Sequence, residues 1–154
     1  MPEGPEATGP LRCLVDTMIF DAIVEEPALL EAVDRLTSAG TLQLLADTVS
    51  VAQVAAAPPS YHRTQLRRVR VLVVPPADTD PVLRPLAAST GVGEPDALIA
   101  AAARAQGVPL VTEDGDLRRA AAVLLPDLVL WTWAADLRPR LVALAAELPP
   151  RRPR

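Results

Sequence analysis

The chain has 154 residues and a net charge of −4, and no apolar run in it approaches the roughly 18–20 residues of a membrane span. Its length fits one ordinary domain with a real core. All 15 basic residues are arginine, and the absence of lysine excludes a GKS/GKT phosphate loop, a pyridoxal Schiff base and a lysine-dependent kinase site.

The first ten residues, MPEGPEATGP, lack the basic start and apolar core of a signal peptide and read as a flexible tail. A soluble, cytoplasmic protein is expected. Leu11–Val15 (LRCLV) is the first predicted strand. It holds the single cysteine, Cys13, which excludes an internal disulfide or a Cys-based zinc site and reads as an inert core residue. Asp16-Thr17 follows, then MIFDAIVEE with helical spacing. A second helix, PALLEAVDRLTSAG, opens on Pro27 and stops at Gly40. TLQLL is the second strand, and TVSVAQVAAA a helix capped by Asp47 or Thr48.

Pro58-Pro59 breaks that helix. RVRVLVV is the next strand, ended by Pro75-Pro76. Asp80-Pro81 starts a short helix that stops near Gly91. Asp96–Gln106 (DALIAAAARAQ) is a helix stopped by Gly107. PLVT is a buried-type strand, EDGD a loop, LRRAAAVLL a helix, LVLWTW a strand and ADLRPRLVALAAEL the last helix. Residues 149–154 form a basic tail. Strands alternating with helices predict one α/β domain over residues 11–148, a three-layer α/β/α sandwich with a mostly parallel central sheet.

Ligands of such sheets sit outside the carboxyl ends of the strands. Four aspartates fall at such places or at a helix start: Asp16, Asp96, Asp114 and Asp116. Each also has a purely structural reading. Asp16 suits a helix cap, Asp96 suits the dipole at a helix start, and Asp114 and Asp116 suit turn and cap chemistry in EDGD. Together they imply a carboxylate cluster, which repels itself unless a cation, a shared proton or distance intervenes. A hard divalent cation on oxygen ligands, Mg2+ or Mn2+, is the expected solution. Such an ion lowers the pKa of a water and stabilises a leaving oxygen, so no histidine base is needed.

The order of these motifs resembles that of PIN-domain ribonucleases, the fold of VapC-type toxins. LVDT, with Asp16 and Thr17, is similar to the family's first motif. Asp96 opening DALIAAAA is similar to the third, and VTEDGDL, with Thr112, Asp114 and Asp116, to the fourth. The resemblance spans roughly Leu11 to Asp136. It implies a metal-dependent endoribonuclease hydrolysing RNA phosphodiester bonds, as the toxin of a toxin–antitoxin pair with a small antitoxin partner. It implies Asp16, Asp96, Asp114 and Asp116 as catalytic and metal-ligating acids, with Thr17 and Thr112 positioning water or phosphate.

One motif departs from the family pattern. The helix after the second strand usually carries a Glu, and this chain has Gln53 there, which can hydrogen-bond but adds no negative charge. Glu94 is the preferred replacement, ahead of Asp47. A catalytically degenerate PIN-like binding module is the alternative that Gln53 favours. For RNA contact the segment YHRTQLRRVR offers Tyr61 for stacking and Arg63, Arg67 and Arg68 for phosphates, against the plain reading of a solvated linker. Trp131 and Trp133 alternate on LVLWTW and are expected to share one face, in the core or at a homodimer surface.

Overall fold

In a computed structural model, residues 9–56, 64 and 67–150 are described. The expectations for Tyr61, Arg63, residues 1–8 and the final arginines of the basic tail lie outside these residues. Five strands, β1 (Leu11–Val15), β2 (Leu42–Asp47), β3 (Leu72–Val74), β4 (Leu110–Val111) and β5 (Leu130–Trp131), form one sheet in the order β3-β2-β1-β4-β5. Every pairing is parallel, with Leu14 opposite both Leu45 and Leu110. Around the sheet run helices α1 (Thr17–Val24), α2 (Pro27–Ser38), α3 (Thr48–Ala56), α4 (Leu83–Ala87), α5 (Glu94–Gln106), α6 (Gly115–Leu124) and α7 (Arg138–Ala146).

Alternation along the central strands sends side chains into two separate cores. Cys13, Val15, Leu44, Ala46 and Val111 face one layer, where Ile19, Phe20 and Ile23 of α1, Leu30 and Val33 of α2 and Leu141 of α7 complete the packing. Leu14, Leu45, Val74 and Leu110 face the other, packed by Leu86 of α4, the alanine stripe of α5 and Leu117 and Ala121 of α6. Near-continuous burial of β1 and β2 is what a sheet covered on both faces demands. This is the expected three-layer α/β/α sandwich.

Helix α5 shows how the sequence sets local geometry. Gly93 precedes it, Pro95 sits in its first turn, and Gly107 ends it with φ +67°, its N–H bonded to the Ala103 and Arg104 carbonyls. Ala97, Ala100, Ala101, Ala102 and Ala103 are all fully buried, so the backbone lies close on the sheet. That close approach fixes the height of Asp96 in its first turn.

Three predicted strands are shorter than their sequence patterns. RVRVLVV yields only Leu72–Val74, at the edge of the sheet and paired on one side; Arg70, before it, pairs with Asp34 at 2.9 Å and reaches Ser38. PLVT yields Leu110–Val111, because the Thr112 side chain takes up the turn that follows. LVLWTW yields Leu130–Trp131. There Thr132 accepts the Ala135 N–H at 3.2 Å and caps a π-helical turn, Trp133–Leu137, that runs into α7. Trp133 therefore starts a helical turn and does not share a strand with Trp131. Both still pack on the first core, and Arg140 lies over the Trp131 ring, 4.2 Å from its centroid. In β2 the strand runs past TLQLL to Asp47.

Candidate metal centre at the carboxyl edge of the sheet

Asp16 leaves β1 at the centre of the sheet and caps α1. One carboxylate oxygen, Oδ1, accepts the Thr17 N–H at 2.7 Å, and Oδ2 accepts the Thr112 hydroxyl at 2.9 Å. Thr112, fully buried at the end of the neighbouring strand, also accepts the Asp114 N–H at 3.1 Å. One hydroxyl thus ties the first acid to the loop carrying the next. Asp114 caps α6, with its Oδ1 accepting the Asp116 and Leu117 N–H groups at 3.0 and 3.1 Å. Its carboxylate lies near that of Asp96, in the first turn of α5, close enough for its charge to act there.

The electrostatics record the convergence. Burial pushes the Asp16 carboxyl above its ordinary value; the hydrogen bonds from Thr112 and Thr17 oppose this, and the charges of Asp114 and Asp47 add to it. Asp96 is pushed up by burial, then by the charges of Asp114 and Asp16. The charge of Asp114 thus acts on both Asp16 and Asp96, and these three aspartates come from three separate chain segments.

The remaining candidates are placed differently. Asp116 turns to an ion pair with Arg119, and lies so close to Gly91 that a Cβ there would collide with it; Gly91 has φ +78°. Glu94 is exposed, in an adjoining cleft with Thr48, Asp78 and Arg84. Glu113 is engaged elsewhere, accepting the Trp133 N–H at 2.5 Å. Gln53, on α3, accepts the Thr17 hydroxyl at 2.9 Å, so the residue standing where the family pattern has an acid does reach the Asp16 turn. Arg67 and Arg68 are exposed in a turn.

Asp47 was ranked below Glu94 on sequence, yet it is fully buried at the end of β2, next to β1, and its charge acts on Asp16. Its Oδ1 accepts the Ser50 N–H at 3.1 Å. The signal available in the sequence was its place: directly after an apolar strand, as Asp16 is.

A family model described as PIN domain matches residues 13–123. The chain belongs to the PIN domain family. Members of this family are generally nucleases. No curated protein matches the chain. Among solved structures, this PIN domain is similar to that of VapBC2 from Rickettsia felis bound to a DNA fragment from their promoter, at 18% identity and TM-score 0.55, covering 79% of this chain and 98% of that one. It is also similar to PAE2754 from Pyrobaculum aerophilum, at 20% identity and TM-score 0.55, covering 89% of this chain and 97% of that one. At these identities the likeness is one of fold.

The donor set of this PIN domain fits a hard cation. The converging groups are all carboxylates, with no sulfur or imidazole among them, and oxygen-only sets suit Mg2+ and Mn2+. Among the described residues no three acidic, His or Cys side chains stand at the spacing of a formed metal site. The fit lies in donor chemistry, in mutual repulsion and in a buried carboxylate oxygen, Asp47 Oδ2, that has no hydrogen-bond partner among them.

Proposed function

We propose that this PIN domain is a metal-dependent endoribonuclease that hydrolyses RNA phosphodiester bonds, acting in the cytoplasm as the toxin of a toxin–antitoxin pair. The observation that carries the reading is the convergence of Asp16, Asp96 and Asp114, from β1, α5 and the turn after β4, with the charge of Asp114 acting on the other two and that of Asp16 on Asp96. These three are the principal ligands of Mg2+ or Mn2+. Asp116, held by Arg119, is the accessory acid. When bound, such an ion supplies Lewis acidity and an activated water for attack on phosphorus.

The chain's own residues set the geometry. Thr112 fixes Asp16 relative to Asp114 through its two hydrogen bonds, and Thr17 orients its hydroxyl on Gln53. The N-termini of α1 and α5 favour negative charge at the same edge, for acids and phosphates alike. Arg84 borders the adjoining cleft, where it could meet an RNA phosphate, and Arg67 and Arg68 are exposed elsewhere on the surface as further phosphate contacts. A small antitoxin and a homodimer complete the proposal; support for an antitoxin comes from the VapBC2 structure, whose name is that of a VapBC pair.

A second reading follows from Gln53. If an acid at that place is required for turnover, the domain is a binding module that keeps the fold and lacks the chemistry. Purified protein tested on structured and single-stranded RNA with Mg2+ or Mn2+, against EDTA and Asp96→Asn, separates the two. The nuclease reading expects cleavage that both controls abolish. Folded protein that cuts no RNA in a broad panel and binds no divalent metal by calorimetry leaves the binding module.

A further inference from the structure

We infer that Asp47 is a fourth principal acid of the divalent-cation site in this chain, beside Asp16, Asp96 and Asp114, supplying the negative charge that Gln53 does not. The inference rests on the nuclease reading above and adds a residue to it. β1 and β2 run in parallel with Leu14 opposite Leu45, so the same register carried two residues on sets Asp16 beside Asp47. Leu14 and Leu45 both face the α5 layer, and side chains two residues apart on a strand share a face. Asp16 and Asp47 accordingly approach the layer whose helix α5 carries Asp96 in its first turn. Gln53 comes instead from α3, whose Val51 and Val54 pack on the opposite core.

Capping alone does not account for an aspartate here. The cap uses one oxygen, Oδ1, on the Ser50 N–H. Ser, Thr or Asn would make that bond without a charge. Asp47 has no solvent exposure, and its Oδ2 has no hydrogen-bond partner among the described residues; nor has the Ser50 hydroxyl beside it. A buried carboxylate with a bare oxygen is among the costliest groups a core can hold, unless a cation compensates it. A site in which Gln53 replaces Glu has lost one negative charge; Asp47, one strand over from Asp16, restores it.

The test uses metal-free full-length protein and Mn2+ alone, titrated by calorimetry and by the loss of the free-ion paramagnetic resonance signal. Asp16→Asn should abolish binding. Asp47→Asn should keep the fold, because Asn still caps Ser50, and weaken Mn2+ affinity by about 10- to 100-fold. Adding Gln53→Glu to Asp47→Asn should recover most of that loss, which a purely structural Asp47 would not predict. Asp47→Ser, which also retains a capping oxygen, serves if the Asn variant misfolds. Folded Asp47 variants that bind Mn2+ as wild type does, while Asp16→Asn abolishes binding, overturn the role of Asp47 and leave the nuclease reading standing. Wild-type protein that binds no Mn2+ overturns both.

Discussion

At the scale of single residues, the site is made of side chains that do two jobs. Asp16 and Asp114 both cap helices, and both also join the carboxylate group. The capping reading and the acid-cluster reading of the sequence were never exclusive, since a carboxylate has two oxygens. The cluster has a measurable stability signature. Asp16 and Asp96 titrate above their ordinary values, so their folded state prefers the proton. Their favourable contribution is complete below the unfolded-state pKa and is lost as pH rises through the raised folded-state values. Asp96→Asn should therefore melt higher than wild type in EDTA at pH 7, with the gap closing near pH 3, by roughly 2–4 °C for each kcal/mol of repulsion relieved. Scanning calorimetry across that range checks it; a variant that melts below wild type at pH 7 would contradict a self-repelling cluster. The places of Asp16, Asp96 and Asp114 were legible because each follows a strand or opens a helix. The direction of Asp116 was not, since its partner Arg119 lies a helical turn away and its neighbour Gly91 comes from a different part of the chain. Nor was the burial of Asp47, which depends on strand pairing.

At the scale of elements, the helices were read well and the strands less so. Helices α2 and α5 carry their own punctuation, Pro at the start and Gly at or just past the end, and their limits follow from local chemistry. Strand limits depend on partners. The apolar runs around β3 and β5 are longer than the strands because these are the sheet's two edges, each paired on one side only. Arg70 and Thr132 make hydrogen bonds that lie far from the strand pattern or beyond its end. The alanine stripe of α5 is a spacing device: it holds the first turn of the helix, with Asp96, close on the sheet. Replacing Ala100 with Leu, where the side chain has no exposure and packs in the core under α5, should cost about 1–3 kcal/mol through overpacking. Urea unfolding measures this, and an unchanged midpoint would show that α5 has room to move off the sheet.

At the scale of the whole molecule, the order β3-β2-β1-β4-β5 puts the first strand, which ends at Asp16, in the middle of the sheet. Asp47 comes from the strand on one side, and Thr112 and Asp114 follow the strand on the other. Cys13 lies three residues before Asp16 on that same central strand, with no exposed surface and its thiol pushed up to about 12 by burial. A thiol in that state has almost no thiolate at neutral pH and no path to a reagent. It becomes alkylable only when β1 leaves the sheet, and no second cysteine blurs the signal. The protein thus carries its own clock for sheet opening: alkylation under native conditions should be far slower than in urea, and its rate should report the opening free energy of the central strand. A divalent cation that bridges Asp16 to its neighbours would slow that clock, and the slowing could be read by mass spectrometry on unmodified protein, without substrate or label.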